Sequence, residues 1–302
     1  MTIGIGVVCE GGKCIVMASD KRGSYGDPKT EANATSPNDR TGKQFDFHPL
    51  KLVGSVAGRL SVAHDLMSQL TVNIDKLVKR QETGKAIYRE HVENAINRTR
   101  WREMWRTYDF ACRMNFGVTL SQLQSGKLPH GKLDEVVWKE IAKTIFDLPL
   151  KAELILAGFL ENEPVLLKAS GKLRIEGDAD PPLCVIGSKG KQFALDHLSK
   201  RGQHIFSSLP QTILHIHEAV EIARKEDHFV GPCDGYIVML QEVDGMWIIR
   251  HNDPLIVGWA SAFRESRSTE KLSDDIFRAQ VRGRLRSIPP GPRFVRAKRA
   301  TN

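Results

Sequence analysis

The order of apolar and polar residues predicts that the chain opens with a β-hairpin. Apolar runs at residues 3–8 and 14–18 flank the segment CEGGK, whose two glycines indicate a turn. Most chain termini fray, so a strand this close to the first residue leads us to expect that the terminus is held in place. Residues 22–42 are polar and rich in turn formers, and they predict a loop. Another strand is predicted in LKLVGSVAG, which ends at Gly58.

Helices are predicted next, because apolar residues recur at helical spacing. The first covers residues 60–78, and the second covers about residues 86–108, with Trp101, Trp105 and Tyr108 on its apolar side. The other face of the second helix is charged, which indicates that it faces solvent. Two later helices are predicted in KGKQFALDHLSKRG and LPQTILHIHEAVEIARKED.

The remaining apolar runs predict strands between and after these helices. They are ELILAGFL, EPVLLKAS, PLCVIGS and the two halves of GYIVMLQEVDGMWIIRH, which an Asp-Gly turn separates. The predicted order is therefore a block of strands, two helices, a second block of strands, two more helices and a final block of strands. This block order predicts the α+β class, with two antiparallel sheets between helical layers.

Charge and composition exclude several classes of protein. The net charge of +8 arises from the eight basic residues that follow Asp275, because without them basic and acidic residues are equal in number. A basic tail at residues 276–302 is predicted to be disordered, and a nucleic-acid-binding body is not expected. No apolar run reaches the length of a membrane span, and no signal peptide is recognised, so neither a membrane partner nor export is predicted.

The cysteine and histidine patterns predict neither a metal site nor a cofactor. Five cysteines at irregular spacing indicate reduced thiols and a cytoplasmic location. The chain contains no Cys-x-x-Cys and no His-Glu-x-x-His motif. His215 and His217 lie two residues apart on a predicted helix, where their side chains point in different directions.

Four segments place polar residues at strand ends or turns. They are TIGIGVV with IVMASDKR, then KQFDFHPLKLVGSVAG, LCVIGSKGKQFALDHL and EDHFVGPCDGYIVML. In this order they resemble the β-subunit family of the 20S proteasome and its bacterial relatives, which are N-terminal-nucleophile (Ntn) hydrolases. The resemblance covers about residues 2–250, and the long helical region near residues 80–150 is more similar to standalone bacterial proteasome-like proteins. It implies a four-layer αββα sandwich.

The resemblance also implies site residues in the first half of the chain. Thr2 matches the nucleophile that removal of Met1 exposes, and Asp20 matches the aspartate after the opening hairpin. Lys43 matches the catalytic lysine, which a proline follows six residues later. Gly58 matches the glycine whose backbone N–H stabilises the oxyanion.

Two more site residues are implied in the second half. Ser188 matches a supporting serine in the Gly-Ser turn after a strand, and Asp227 matches the aspartate that follows the last long helix. The family's usual second serine falls at Val230, which departs from the pattern. Taken singly, each of these residues is also explained by a turn, a cap or a surface loop, so the prediction depends on their common order.

The chemistry of an N-terminal threonine explains why these residue types are needed. A neutral hydroxyl is a weak nucleophile and needs a base within hydrogen-bonding reach. The free α-amine of Thr2 supplies such a base, because amino termini titrate at a pKa of about 7.7–8.0. Lys43 is expected to lower the pKa of that amine, and Asp20 to compensate the lysine. The base is therefore either the amine or Lys43.

Three functions follow as alternatives. The first is a threonine-type peptide or amide hydrolase within a homo-oligomeric ring or spiral, for which Trp101, Trp105 and Tyr108 offer contacts. The second is an inactive structural protein of the same fold, and the third is an Ntn amidohydrolase acting on a small amide. We expect a peptide or protein substrate, with an ATPase or adaptor partner left open. The hydrolase domain is predicted at residues 1–255, followed by a C-terminal extension at 256–302.

Overall fold

The computed structural model describes residues 3–20, 44–47, 50–128, 131–132, 134–146, 148, 152–170, 174–177, 183–228, 230–231, 233–241 and 246–250. Thr2, Lys43 and the predicted C-terminal extension lie outside the described residues. The domain boundary predicted at residue 255 lies outside them as well, and it stays a prediction.

Strands and helices occur in the predicted block order, except that four helices and two short strands, rather than two helices, separate the first block of strands from the second. The strands are β1 (Ile3–Cys9), β2 (Cys14–Asp20), β3 (Gln44–Phe47), β4 (Leu52–Gly58), β5 (Lys127–Leu128), β6 (Gly131–Lys132), β7 (Ala152–Leu160), β8 (Glu163–Ser170), β9 (Arg174–Gly177), β10 (Leu183–Gly187), β11 (Cys233–Leu240) and β12 (Met246–Arg250). The helices are α1 (Leu60–Glu82), α2 (Arg89–Phe116), α3 (Leu120–Ser125), α4 (Glu135–Phe146), α5 (Gly190–Lys200) and α6 (Leu209–Glu226).

Two five-stranded antiparallel sheets form the centre of the fold. The first sheet has the order β10-β1-β2-β11-β12, and the second has the order β3-β4-β7-β8-β9. Strands β5 and β6 make a separate short ribbon. The predicted α+β class with two antiparallel sheets is therefore confirmed.

Three apolar clusters account for the burial of both faces of these sheets. The first cluster joins β1, β2, β10 and β11 to helices α5 and α6. The second joins β4, β7 and β8 to helices α1 and α2. The third contains residues of both sheets, among them Ile15 and Met17 from the first and Ile155 and Phe159 from the second. Strands buried on both faces read as continuous apolar runs, and this explains the sequence of β1, in which every residue is buried.

Glycines allow β1 to approach the second sheet closely. A Cβ atom placed on Gly6 would lie 2.8 Å from Leu166 Cδ1. A Cβ atom on Gly4 would lie 3.0 Å from both Ile186 Cγ1 and Ser55 Oγ. The distance at Gly6 is shorter than real Cβ atoms show, and those at Gly4 are tighter than most Cβ contacts, so these two glycines let β1 pack closely against its neighbours.

Helix α2 differs from its prediction in length and in the residues it buries. It continues to Phe116, because Gly117 ends it in a left-handed conformation at φ +67°. Trp101 and Trp105 are 53% and 42% exposed, whereas Tyr108 is buried and packs edge-on against Phe146. The interpretation of Tyr108 as an oligomer contact was therefore wrong, since this side chain belongs to the core.

No described helix combines the length and apolar character needed to cross a bilayer. All five cysteines lie among the described residues, all are buried, and none forms a disulfide. Within the same residues, no group of three or more His, Cys, Asp or Glu side chains is arranged to hold a metal ion.

Candidate active site

The ends of four strands meet where the described chain begins. In the first sheet, Ile3 at the start of β1 pairs with Gly187 at the end of β10. On its other side β1 pairs with β2, with Gly4 opposite Ser19, so Asp20 comes next to Ile3. In the second sheet, β4 ends at Gly58, which pairs with the first residue of β7. Thr2, the candidate nucleophile, directly precedes Ile3 in the chain.

Asp20 connects the start of β1 to the segment that leads into β11. Its side chain is buried, with 1% of the residue exposed. One carboxylate oxygen accepts the backbone N–H of Ile3 at 3.0 Å, and the other accepts the backbone N–H of Gly231 at 2.8 Å. A buried carboxylate needs such hydrogen bonds, and bonds to a charged acceptor are stronger than neutral ones. Asp20 therefore anchors the first described residue of the chain.

Ser188 and Asp227 are in direct contact. The hydroxyl of Ser188 donates to Asp227 Oδ2, and the backbone N–H of Gly190 donates to the same oxygen at 3.0 Å. Asp227 ends helix α6, and its own N–H donates to the carbonyl of Ala223 at 2.8 Å. One carboxylate thus ties the turn between β10 and α5 to the end of α6.

A short backbone segment links the two aspartates. The N–H of Val230 donates to the carbonyl oxygen of Asp227 at 2.9 Å, and the next residue, Gly231, donates to Asp20. The side chain of Val230 is 1% exposed and belongs to the apolar cluster on α5 and α6. A Cβ atom placed on Gly190 would lie 3.0 Å from Val230 Cγ2. Val230 thus contributes a buried apolar side chain at a position where the family that the sequence resembles has a serine hydroxyl.

Gly58 lies at an exposed strand end. Its φ of +126° falls in a region that residues with a Cβ atom rarely adopt, so the backbone here favours glycine. Arg59 follows as the N-cap of helix α1. An exposed backbone without a side chain lets a substrate approach closely, which is the property that the predicted oxyanion role requires.

The sequence analysis missed Glu153, a carboxylate that bridges the two sheets. Glu153 belongs to β7 and pairs with Ala57, the residue before Gly58. Its Oε2 accepts the backbone N–H of Gly187 at 2.7 Å, and its Oε1 pairs with Lys191 Nζ at 2.7 Å. The signal that could have indicated it is an acidic residue within AELILAGFL, a strand that is otherwise apolar.

The second sheet also brings a polar residue toward β1. Ser55 on β4 is 1% exposed, and its hydroxyl has no hydrogen-bonding partner among the described residues. Gln44, the first described residue after Lys43, pairs with Ser55. Of the candidate site residues, Asp20, Gly58, Ser188, Asp227 and Glu153 lie among the described residues, whereas Thr2 and Lys43 do not, and the role of every one of them stays a prediction.

One comparison with known proteins supports the predicted fold. No protein-family model matches the chain, and no curated protein matches it either. Among solved structures, an Anbu (Gly-1) mutant from Hyphomicrobium sp. strain MC1 matches over 96% of this chain and 98% of that chain. The TM-score is 0.51 and the sequence identity is 13%, so this likeness concerns the fold alone. At the level of the fold, it confirms the resemblance to proteasome-like Ntn hydrolases that the sequence motifs predicted.

Proposed function

We propose that the chain is a threonine-type peptide or amide hydrolase whose nucleophile is Thr2 after removal of Met1. The hydrogen bond from the Ile3 N–H to Asp20 is the observation that carries the proposal. This N–H belongs to the peptide group between Thr2 and Ile3, and a peptide group is planar. Fixing the N–H therefore also restricts where the Cα atom of Thr2 lies, and a nucleophile needs such restriction.

The other residues of the site have complementary roles in this proposal. The free α-amine of Thr2 takes the hydroxyl proton, and Lys43 supplies a neighbouring positive charge. The N–H of Gly58 stabilises the negative oxygen of the tetrahedral intermediate. Ser188 and Asp227 hold the turn that follows β10, whose last residue, Gly187, pairs with Ile3.

Glu153 is added to this set as a positioning residue. Its carboxylate lies in the second sheet and accepts the N–H of Gly187, which pairs with Ile3 in the first sheet. The same side chain belongs to the strand that pairs with Gly58. Glu153 thus fixes the distance between the strand that carries the nucleophile and the strand end that carries the oxyanion donor.

The proposal includes the larger organisation of the protein. The three apolar clusters are compatible with a four-layer αββα sandwich of the Ntn-hydrolase type, formed by residues 1–255, with residues 256–302 as an extension. The exposed Trp101 and Trp105 on α2 provide apolar anchors for self-association, since tryptophan is enriched among residues that contribute most to interfaces. Light scattering of the purified chain should show a homo-oligomer, and a monomer at micromolar concentration would contradict it.

An inactive structural protein is the second candidate, and Val230 favours it. A buried valine offers no hydrogen bond where the resembling family has a serine. Turnover of fluorogenic peptides and of small amides, compared among wild type, Thr2→Ala and Thr2→Ser, separates the candidates. A hydrolase requires activity that Thr2→Ala abolishes and Thr2→Ser retains in part. Correctly processed wild type without any turnover would favour the structural protein.

A further inference from the structure

A cavity of about 130 Å³ lies between the last turns of α1 and the first turns of α2. The residues that line it come from one face of each helix, at spacings of three and four residues. Its polar lining consists of four residues with basic side chains and two asparagines: Lys76, Arg80, His91, Arg98, Asn73 and Asn94.

Among the described residues, the side chains that line this cavity give it a positive charge. None of its lining residues is acidic. In the part of the chain that the structure describes, neither Arg80 nor Arg98 forms an ion pair. Lys76 and Arg80 lie four residues apart on α1, a spacing at which like charges destabilise a helix. A bound anion would remove this repulsion.

The imidazole of His91 and the amide of Asn73 are held by hydrogen bonds to neighbouring groups. His91 Nδ1 accepts the backbone N–H of Tyr88 at 3.0 Å, so the ring proton lies on Nε2, which remains available as a donor. Asn73 donates to Thr99 Oγ1 at 2.9 Å and accepts from Lys76 Nζ at 3.4 Å. The side chains of His91 and Asn73 are therefore fixed in place before a ligand binds.

We propose that this cavity binds inorganic phosphate or a diphosphate. A volume of about 130 Å³ is enough for one phosphate group. Two guanidinium groups, an ammonium group and the Nε2–H of His91 supply donors from both helices. Several donors around one small volume suit an anion with three or four acceptor oxygens, and arginine matches phosphate geometry well. A carboxylate has two oxygens and would leave more of these donors without partners.

Isothermal titration calorimetry of the full-length chain with inorganic phosphate and with pyrophosphate tests the proposal. Titrations with acetate and chloride at matched ionic strength serve as reference anions. We expect phosphate or pyrophosphate to bind and to raise the melting temperature, whereas acetate and chloride do neither. Arg80→Gln and Arg98→Gln should each weaken phosphate binding by about ten-fold, since each removes a charged donor.

The matched control is Arg102→Gln, which changes an exposed arginine one turn after Arg98 that does not line the cavity. It should bind phosphate like the wild type. No binding of phosphate or pyrophosphate, equal binding of acetate, or an equal loss of phosphate binding in Arg102→Gln would each overturn the proposal.

Discussion

The substitution Asp20→Asn tests how the start of the chain is anchored. The buried carboxylate of Asp20 accepts the N–H of Ile3 at 3.0 Å and the N–H of Gly231 at 2.8 Å. Asparagine has nearly the same shape, but it keeps one acceptor oxygen and turns an NH₂ group toward the other N–H. One charge-assisted hydrogen bond is lost, and one buried donor is left without an acceptor.

The expected loss of stability follows from these two changes. A hydrogen bond to a charged group contributes about 1.5–3 kcal/mol, and an unsatisfied buried donor costs roughly 1–3 kcal/mol. Because the two effects overlap, we expect the free energy of unfolding to fall by about 2–4 kcal/mol. For a domain of about 150–250 residues, each kcal/mol lowers the melting temperature by about 2–4 °C, so the total shift is roughly 5–15 °C.

Calorimetry measures the stability, and peptide turnover well below the melting temperature measures the positioning of Thr2. Asp109→Asn is the matched control, because Asp109 also accepts a backbone N–H, from Leu120 at 2.9 Å, but belongs to helix α2. We expect Asp20→Asn to lose turnover and Asp109→Asn to keep it. A melting temperature within about 1 °C of the wild type, or equal turnover in the two variants, would refute the anchoring role of Asp20.

Three further predictions concern residues around the site and the core. Glu153→Gln removes the ion pair with Lys191 and turns the charge-assisted hydrogen bond from the Gly187 N–H into a weaker neutral one, so turnover should fall roughly 10–100-fold through looser positioning of the strand ends, with little loss of stability. Val230→Ser should lower stability by about 1–3 kcal/mol and should not raise turnover, because the new hydroxyl lies in an apolar cluster. Burial lowers the pKa of His215 from 6.5 to about 4, so between these values the unfolded chain binds a proton that the folded chain does not. The contribution of His215 to stability should therefore be full above pH 6.5 and should fall by about 1–2 kcal/mol toward pH 4, after allowance for the partial exposure of the ring.

Each of these three predictions has a control on the surface. Glu163→Gln at the exposed start of β8 should keep turnover, and Val72→Ser on the exposed face of α1 should keep stability. His215→Gln should show less of the stability change between pH 6.5 and 4, whereas His64→Gln at an exposed position should show all of it. Wild-type turnover in Glu153→Gln, wild-type stability in Val230→Ser, or the same pH dependence in the two histidine variants would contradict the corresponding prediction.

The sequence predicted the parts of the fold that depend on local pattern. Continuous apolar runs indicated strands buried on both faces, and glycine and proline marked their ends. The length of α2 and the burial of its aromatic residues were harder to predict. Trp101 and Tyr108 lie seven residues apart, on the same side of the helix, so its pattern does not separate the buried Tyr108 from the exposed Trp101.

Contacts between distant residues determine the parts of the site that the sequence did not reveal. Glu153 meets Gly187 and Lys191 only because the second sheet packs against the first, and no local spacing encodes that packing. Val230 could be recognised as a departure from a family motif, but its burial depends on helices α5 and α6. The contact between Ser188 and Asp227 joins residues 39 positions apart, and only the resemblance suggested their proximity.

Labelling by a peptide epoxyketone tests the central claim most directly. This reagent needs both the hydroxyl and the free amine of an N-terminal threonine, so it reports the nucleophile and its base together. Peptide mapping by mass spectrometry should show loss of Met1 and an adduct on Thr2 in the wild type. The adduct should be absent in Thr2→Ala and strongly reduced in Lys43→Ala. Unlabelled wild type whose Thr2 is fully exposed by processing, or an adduct that persists in Thr2→Ala, would contradict the proposed hydrolase.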